Sequence, residues 1–331
     1  KLNGQKKVYG LVVYYLMTSR LDSDSKILVT GVSGFIGSHV APKLLEQEYD
    51  VYAFERYVTG RYVLGAGRQV KTLFGDLREY PAVRKAVREV GPDYVIHLAA
   101  ISPVAYSYDH PQEVMEVNLT GTINLAEACL HEVPSLKQLI FASTSETYGD
   151  GPVPRREDTP QRPNSPYAVS KVAAEKYLLY LKDAFDFPVT ILRPFNTYGR
   201  KDNTHFVVER TITQMLEKRR EVRLGDPTPI RDLMYIDDHI RSYVTCLENK
   251  RAVGEVFNFC AGKGVSIKNL VELIAEMTDY HGKIIWDTIP RRPLDIRELV
   301  GDYSKAKRLL RWAPKYSLKE GLAKTIGYWR Q

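Results

Sequence analysis

Tyr167 and Lys171 stand four residues apart in NSPYAVSKVAAEKY (164–177). On a helix that spacing puts a phenol and an ammonium on one face, and Pro166 suits the first turn of such a helix. A cation beside a phenol favours the phenolate, so the pair is a candidate general base for taking a proton from an alcohol. The same spacing also arises as a solvated Tyr and Lys, and position in the fold decides between the two. A second cluster, Ser143, Thr144, Ser145 and Glu146, ends the strand-like run LKQLIFAS (136–143). Thr144 offers a hydroxyl that can bond the reacting alcohol. Glu146 adds a carboxylate, read either as a general base or as a loop cap.

The run KILVT (26–30) leads straight into GVSGFIG (31–37). Gly31, Gly34 and Gly37 remove a Cβ where backbone must turn, approach a pyrophosphate, or pack helix on strand. A helix beginning near Phe35 and Ile36 aims its N-terminal amides and positive dipole end at phosphates. A strand before and a helix after form the context a dinucleotide loop requires; the plainer alternative is a tight turn without ligand. The next strand, DVYAF (50–54), ends at Glu55, 18 residues beyond Gly37. A carboxylate there can bond both ribose hydroxyls of NAD and repels a 2′-phosphate. NAD is the expected cofactor. Arg56 keeps NADP open, since it either covers the adenine or pairs with that phosphate. Asp76, in GDL (75–77), either caps a helix or touches the adenine.

These groups need strands that alternate with helices to hold them. VKTLF (70–74), DYVIHLA (93–99) and PVTILR (188–193) supply further strands. The alternation predicts a parallel sheet covered on both faces with right-handed crossovers. Thr144 then lies at its carboxyl edge, where ligands bind in open α/β sheets. The expected class is α/β, a Rossmann-type doubly wound parallel sheet with a smaller mixed α/β C-terminal lobe. Segments shorten after residue 194, with breaks at Gly199, Gly225, Pro227, Gly262 and Pro290. The expected division is residues 25–193 for the dinucleotide domain and 194–331 for a mainly substrate-binding lobe, parts of which return to the first. Residues 1–24 are expected to be an extension outside the functional unit, with Met17 a natural start. The apolar run from Tyr9 to Met17 is far short of the ~20 residues of a membrane span, and no cleavage site of a secretory leader follows it.

Of 331 residues, 44% are hydrophobic and 26% charged, an ordinary globular balance. The net charge of +7 is scattered rather than striped, which argues against nucleic acid and suits an anionic small substrate such as a diphosphate. Cys129, Cys246 and Cys260 make no CxxC pair, so neither metal site nor disulfide framework is expected, and a reducing cytoplasm is the simplest compartment.

The order of motifs is more specific than any one of them. GxxGxxG, LAA (98–100), NLTGTINLAEA (118–128), STSETYG (143–149), YAVSK (167–171) and RPFNTYG (193–199) resemble the extended short-chain dehydrogenase/reductase family acting on nucleotide sugars. The resemblance spans about residues 26–330 and implies a catalytic triad of Thr144, Tyr167 and Lys171. It implies a cofactor site drawn from Gly31, Gly34, Phe35, Ile36, Gly37, Glu55, Arg56, Asp76, Leu77, Leu98, Ala99, Ala100 and Asn118, with Tyr167 and Lys171. Asn118 matches the residue that supports the active-site helix, or else is a helix cap. Asn196 matches a contact to the substrate diphosphate, with Ser145 near the sugar. Arg231, and Arg292 with Asp295, match contacts to the nucleotide phosphates and ribose; surface ion pairs are the plainer reading of both arginines. Family members pair the helices that start near Val114 and Pro166 into a four-helix bundle, so a homodimer is expected across residues such as Val117, Leu125, Val172 and Leu178, unless these are ordinary core.

Tyr167 would take the proton of the sugar C4 hydroxyl as hydride leaves for nicotinamide. The ketone acidifies C5–H, and Glu146 is the candidate to remove that proton before hydroxide leaves C6. Typical 4-epimerases of the family carry a small or apolar residue at this place, which puts a nucleotide-sugar 4,6-dehydratase first. A 4-epimerase, which returns hydride to the other face and needs no C5 base, is the alternative. Decarboxylation of UDP-glucuronate and, in a different class, a non-catalytic dinucleotide sensor follow.

Overall fold

The computed structural model describes residues 25–57, 64–65, 67–200, 203–290 and 292–331; the extension 1–24 lies outside them. The apolar run of β1 (Lys26–Thr30) is buried on both faces. Ile27 and Val29 pack on one side of the sheet and Leu28 on the other, all fully buried. That double burial is the signature of a parallel sheet with helices on each side. The other strands are β2 (Asp50–Glu55), β3 (Lys71–Phe74), β4 (Tyr94–His97), β5 (Gln138–Ala142), β6 (Val189–Pro194) and β7 (Val256–Phe259). All pairings are parallel, in the spatial order β3-β2-β1-β4-β5-β6-β7. The order reverses beside β1, which opens a crevice at the carboxyl ends of β1 and β4.

Helix α1 (Gly37–Glu46) follows the glycine loop, and α2 (Tyr80–Val90) returns from β3. A long helix, α3, covers 111–132, with a π-helical turn at Glu116–Thr120. Helix α4 (Pro166–Phe185) is capped by Ser165, whose Oγ accepts from Ala168 N. Helices α2, α3 and α4 cover one face; α1 and α5 (Ile236–Leu247) cover the other. Two of the residues expected to meet a second subunit, Leu125 and Leu178, lie in this subunit's own core, each holding the ~1.5–3 kcal/mol of a buried leucine. Val117 and Val172 keep partial exposure.

Six of the seven strands coincide with runs visible in the sequence. The seventh, β7, was not expected. It comes from beyond the start of the smaller lobe and adds to the edge of the main sheet, Phe257 opposite Leu192. Phe259 from β7 and Trp312 meet edge-to-face, 4.8 Å apart, within the main core. The smaller lobe centres on the strand Ile230–Tyr235, which pairs with Asn196–Tyr198, Gly264–Ser266 and Glu298–Leu299. Its separate core collects Ile212, Met215, Leu270, Ile274 and Leu322. Among the described residues no helix is long and apolar enough to cross a membrane, and no cluster of His, Cys, Asp and Glu has a metal-binding arrangement.

Candidate active site

The turn from β1 to α1 is too tight for side chains. Gly31 has φ +77°, and a Cβ there would sit 2.8 Å from Ala99 N; one on Gly37 would sit 2.1 Å from Gly31 O. Gly34 is less confined, with 3.2 Å to Gly31 O. The loop is thus pressed against Leu98 and Ala99 where the chain leaves β4, with Ala100 next in the chain, and Ala99 N donates to Thr30 Oγ1. Helix α1 has no side-chain cap, so its first amides, around Phe35, Ile36 and Gly37, remain open to an anion. Glu55 closes the other side, accepting from Ser33 N (3.2 Å) and Ser33 Oγ (2.8 Å). A bare backbone turn, an uncapped helix and a carboxylate at the end of β2 together fit a dinucleotide diphosphate and its ribose.

Asp76 does not cap α2, whose N-terminal residue Glu79 makes no side-chain cap. Its carboxylate is gripped by Arg78 through Nε (3.0 Å) and NH2 (2.6 Å) and paired with Arg56 at 3.1 Å. The bond to Arg78 is the main reason its carboxyl is held below the usual range. Arg56 is therefore engaged on Asp76. The side chain of Leu77 lies in the core against Gly121, and its carbonyl accepts from Asn124.

At the carboxyl ends of β5 and β6 the reactive groups converge. Tyr167 is buried next to Thr144. Burial pushes its phenol well above the ordinary value, the Thr144 side chain opposes that, and Glu146 adds to it. Lys171 Nζ donates to Ala142 O at 2.8 Å and lies 4.6 Å from the Phe141 ring centroid. Burial pulls this lysine down to about 7, with Glu175 opposing. Without a ligand beside it, Lys171 is engaged with a strand-end carbonyl, and Thr144 is the group that favours the phenolate.

Glu146 sits in a single 3-10 turn, Ser145–Tyr148, and its own amide donates to Thr144 Oγ1 at 3.2 Å. Burial raises its carboxyl, while the charges of Arg292 and Arg231 counter this and Asp295 reinforces it. Residues far apart in sequence thus share one electrostatic neighbourhood. The Arg231 side chain is only 11% exposed and bonds Asp295 at 3.2 Å, which removes the surface-pair reading for that residue. Arg292 and Asp295 are exposed. Asn196 Oδ1 is buried with no partner among the described residues, an acceptor left for a ligand or water. Ser145 is buried.

Asn118 caps nothing. It sits in the π turn of α3, accepts from Ile101 N (2.8 Å), and donates to Ile101 O (3.0 Å) and Ser170 Oγ (3.1 Å). It ties the segment after β4 to α4 between Tyr167 and Lys171. Below it lies a group the sequence reading missed, the fully buried His97. Thr122 Oγ1 donates to Asn118 O, so it accepts from His97 Nε2, and His97 Nδ1 accepts from Thr30 Oγ1 at 2.7 Å. Burial drives this imidazole down to about 3. Tyr108 was also missed; its hydroxyl donates to Asn164 O and reaches Leu294 O across the mouth of the site. Neither had a motif to mark it.

A family model described as GDP-mannose 4,6 dehydratase matches residues 28–325. The chain belongs to the NAD-dependent nucleotide-sugar epimerase/dehydratase family. Among solved structures it is similar to a UDP-glucose 4-epimerase from Thermotoga maritima, determined with UDP-glucose. Identity is 34%, TM-score 0.85, and coverage 92% of this chain and 98% of that one. A UDP-glucuronic acid 4-epimerase from Bacillus cereus, in complex with UDP-glucuronic acid and NAD, shares 31% identity with TM-score 0.83, covering 92% and 99%. The UDP-glucose 4-epimerase of Halalkalibacterium halodurans is 31% identical over 325 residues, 92% of this chain and 95% of its own.

Proposed function

We propose that this enzyme oxidises the C4 hydroxyl of a nucleoside-diphosphate sugar and returns hydride to the opposite face of the 4-keto sugar, acting as a 4-epimerase with NAD. The observation that carries the oxidation is the buried Thr144–Tyr167 pair, one helical turn from Lys171, beside the glycine cradle. The return to the opposite face is supported by relatives named UDP-glucose and UDP-glucuronate 4-epimerases. NAD, when bound, would supply the reversible hydride acceptor that this chemistry needs at C4. Tyr167 takes the C4 hydroxyl proton, and Thr144 orients that hydroxyl. Arg231 holds the diphosphate from a buried position, where a guanidinium is worth most, and Asn196 adds a polar contact. Glu55, at the end of β2, would hold the ribose hydroxyls of the cofactor. We propose further that the enzyme is cytoplasmic and pairs with a second copy through α3 and α4.

Glu146 favours a second reading. A buried carboxyl next to the reacting pair is what a 4,6-dehydratase needs at C5, and it is why dehydration comes first from sequence alone. The names of the relatives reverse that ranking. Incubation with UDP-glucose, UDP-glucuronate, GDP-mannose and dTDP-glucose separates them by product mass. An isomer of unchanged mass is expected. Loss of water establishes dehydration, loss of carbon dioxide decarboxylation, and inertness toward every one of them defeats C4 chemistry on these substrates.

A further inference from the structure

Glu175 lies one helical turn beyond Lys171 on α4, is fully buried, and takes part in neither proton step above. Its Oε1 accepts from Ser143 Oγ and from Arg193 Nε at 3.0 Å; its Oε2 accepts from Gln161 Nε2 at 2.7 Å and Arg193 NH2 at 2.6 Å. Arg193 spends NH1 on Tyr148 Oη (3.0 Å) and Glu157 O (3.1 Å). Each partner adjoins a segment of the site. Ser143 precedes Thr144, and Tyr148 closes the turn carrying Glu146. Arg193 is the penultimate residue of β6, three residues before Asn196, and Gln161 lies in the segment leading to Tyr167.

A buried ion pair seldom adds stability over well-packed apolar groups of the same size, so this one calls for another account. Lys171 faces Glu175 on its own helix, the Phe141 ring and Ala142 carbonyl on β5, and His97 on β4, which burial keeps neutral. The carbonyl and the ring favour the ammonium as neutral groups, and Glu175 is the charged group that does so. Arg193 is held by Glu175 itself.

We propose that Glu175 is a positioning residue of the reaction: it is the counter-charge of Lys171 and, through Ser143 and Arg193, fixes the strand ends that bear Thr144 and Asn196. This rests on the C4-oxidation reading for its catalytic consequence, but not for its effect on Lys171.

The test compares wild type, Glu175→Gln, and Glu175→Gln/Arg193→Met, which leaves no orphaned guanidinium should the single variant fail to fold. Lys171 is titrated by NMR of lysine-labelled protein, assigned by its disappearance in Lys171→Met. Its midpoint is expected to fall by about one unit when Glu175 is neutralised. With UDP-glucose, or whichever sugar the wild type turns over, the alkaline limb of kcat moves to lower pH while KM stays within about twofold. An unmoved lysine midpoint, or a uniform loss of kcat with an unmoved alkaline limb, overturns the proposal. A wild type inert toward every sugar, with the lysine shift present, defeats the catalytic reading and leaves the role of Glu175 toward Lys171 standing.

Discussion

Tyr167 shows how far a side chain's job depends on what binds beside it. Its phenol is held neutral by burial, and the protein offers it Thr144 rather than the neighbouring ammonium. Tyr167→Phe should lower kcat by roughly 10²–10⁴-fold with little change in KM, the range for losing a positioned acid–base group, as steady-state rates would show. Glu146→Gln makes a finer distinction. Under the epimerase reading the variant still inverts C4 at a rate within about tenfold of wild type, and neither protein exchanges the C5 proton in deuterated buffer. Exchange in the wild type that vanishes in the variant would turn Glu146 into a C5 base and favour dehydration.

At the scale of elements, the βα turn of the glycine loop is the most constrained piece. Gly37→Ala forces a methyl to within 2.1 Å of Gly31 O, so the turn must open. A loss of about 1–3 kcal/mol is expected from such overpacking, together with much weaker NAD binding; chemical denaturation and calorimetric titration check the two separately. These same elements were legible beforehand. Gly31, Gly34 and Gly37 sit between a strand and a helix, and YAVSK follows the fifth strand, so local pattern and position agreed. The seventh strand was hidden because VFNF lies outside the strand–helix alternation, although it is no shorter than Lys71–Phe74 or Tyr94–His97, which that alternation revealed. Asp76 illustrates another limit. Whether it capped a helix depended on Arg78 and Arg56 reaching it first, and such competition among side chains leaves no trace in spacing. His97 and the Glu175–Arg193 pair were in plain view as letters, but burial alone gives them meaning, and burial belongs to the folded chain. Leu125 and Leu178, expected to meet a partner, show the converse: an apolar helix face does not say which neighbour covers it.

For the whole molecule, the buried histidines set a pH signature. His97 and His239 are both held down to about 3, against about 6.5 in an unfolded chain. A depressed group contributes stability that is complete above the unfolded value and is lost as pH falls toward the folded one. Asp232, pushed up to about 6 by burial, acts in the opposite sense over part of that window, so a variant isolates the histidine better than the wild-type curve does. His97→Gln should be less stable than wild type at pH 7. The gap should narrow by roughly 1.4 kcal/mol per pH unit between pH 6 and 4, where only the unfolded wild type takes up the extra proton. Urea titrations at three pH values suffice. A constant gap would mean that His97 is already charged in the native state.

The return of Val256–Phe259 to the edge of the main sheet bears on how such a chain can change over evolutionary time. The polypeptide leaves the large sheet, builds part of the smaller lobe, comes back to add a strand beside Leu192, and departs again. A cassette exchange at residue 194 would strip that strand away and bare a long, sticky edge. Exchange of the smaller lobe is therefore expected to keep the main sheet whole only when several splice points move together.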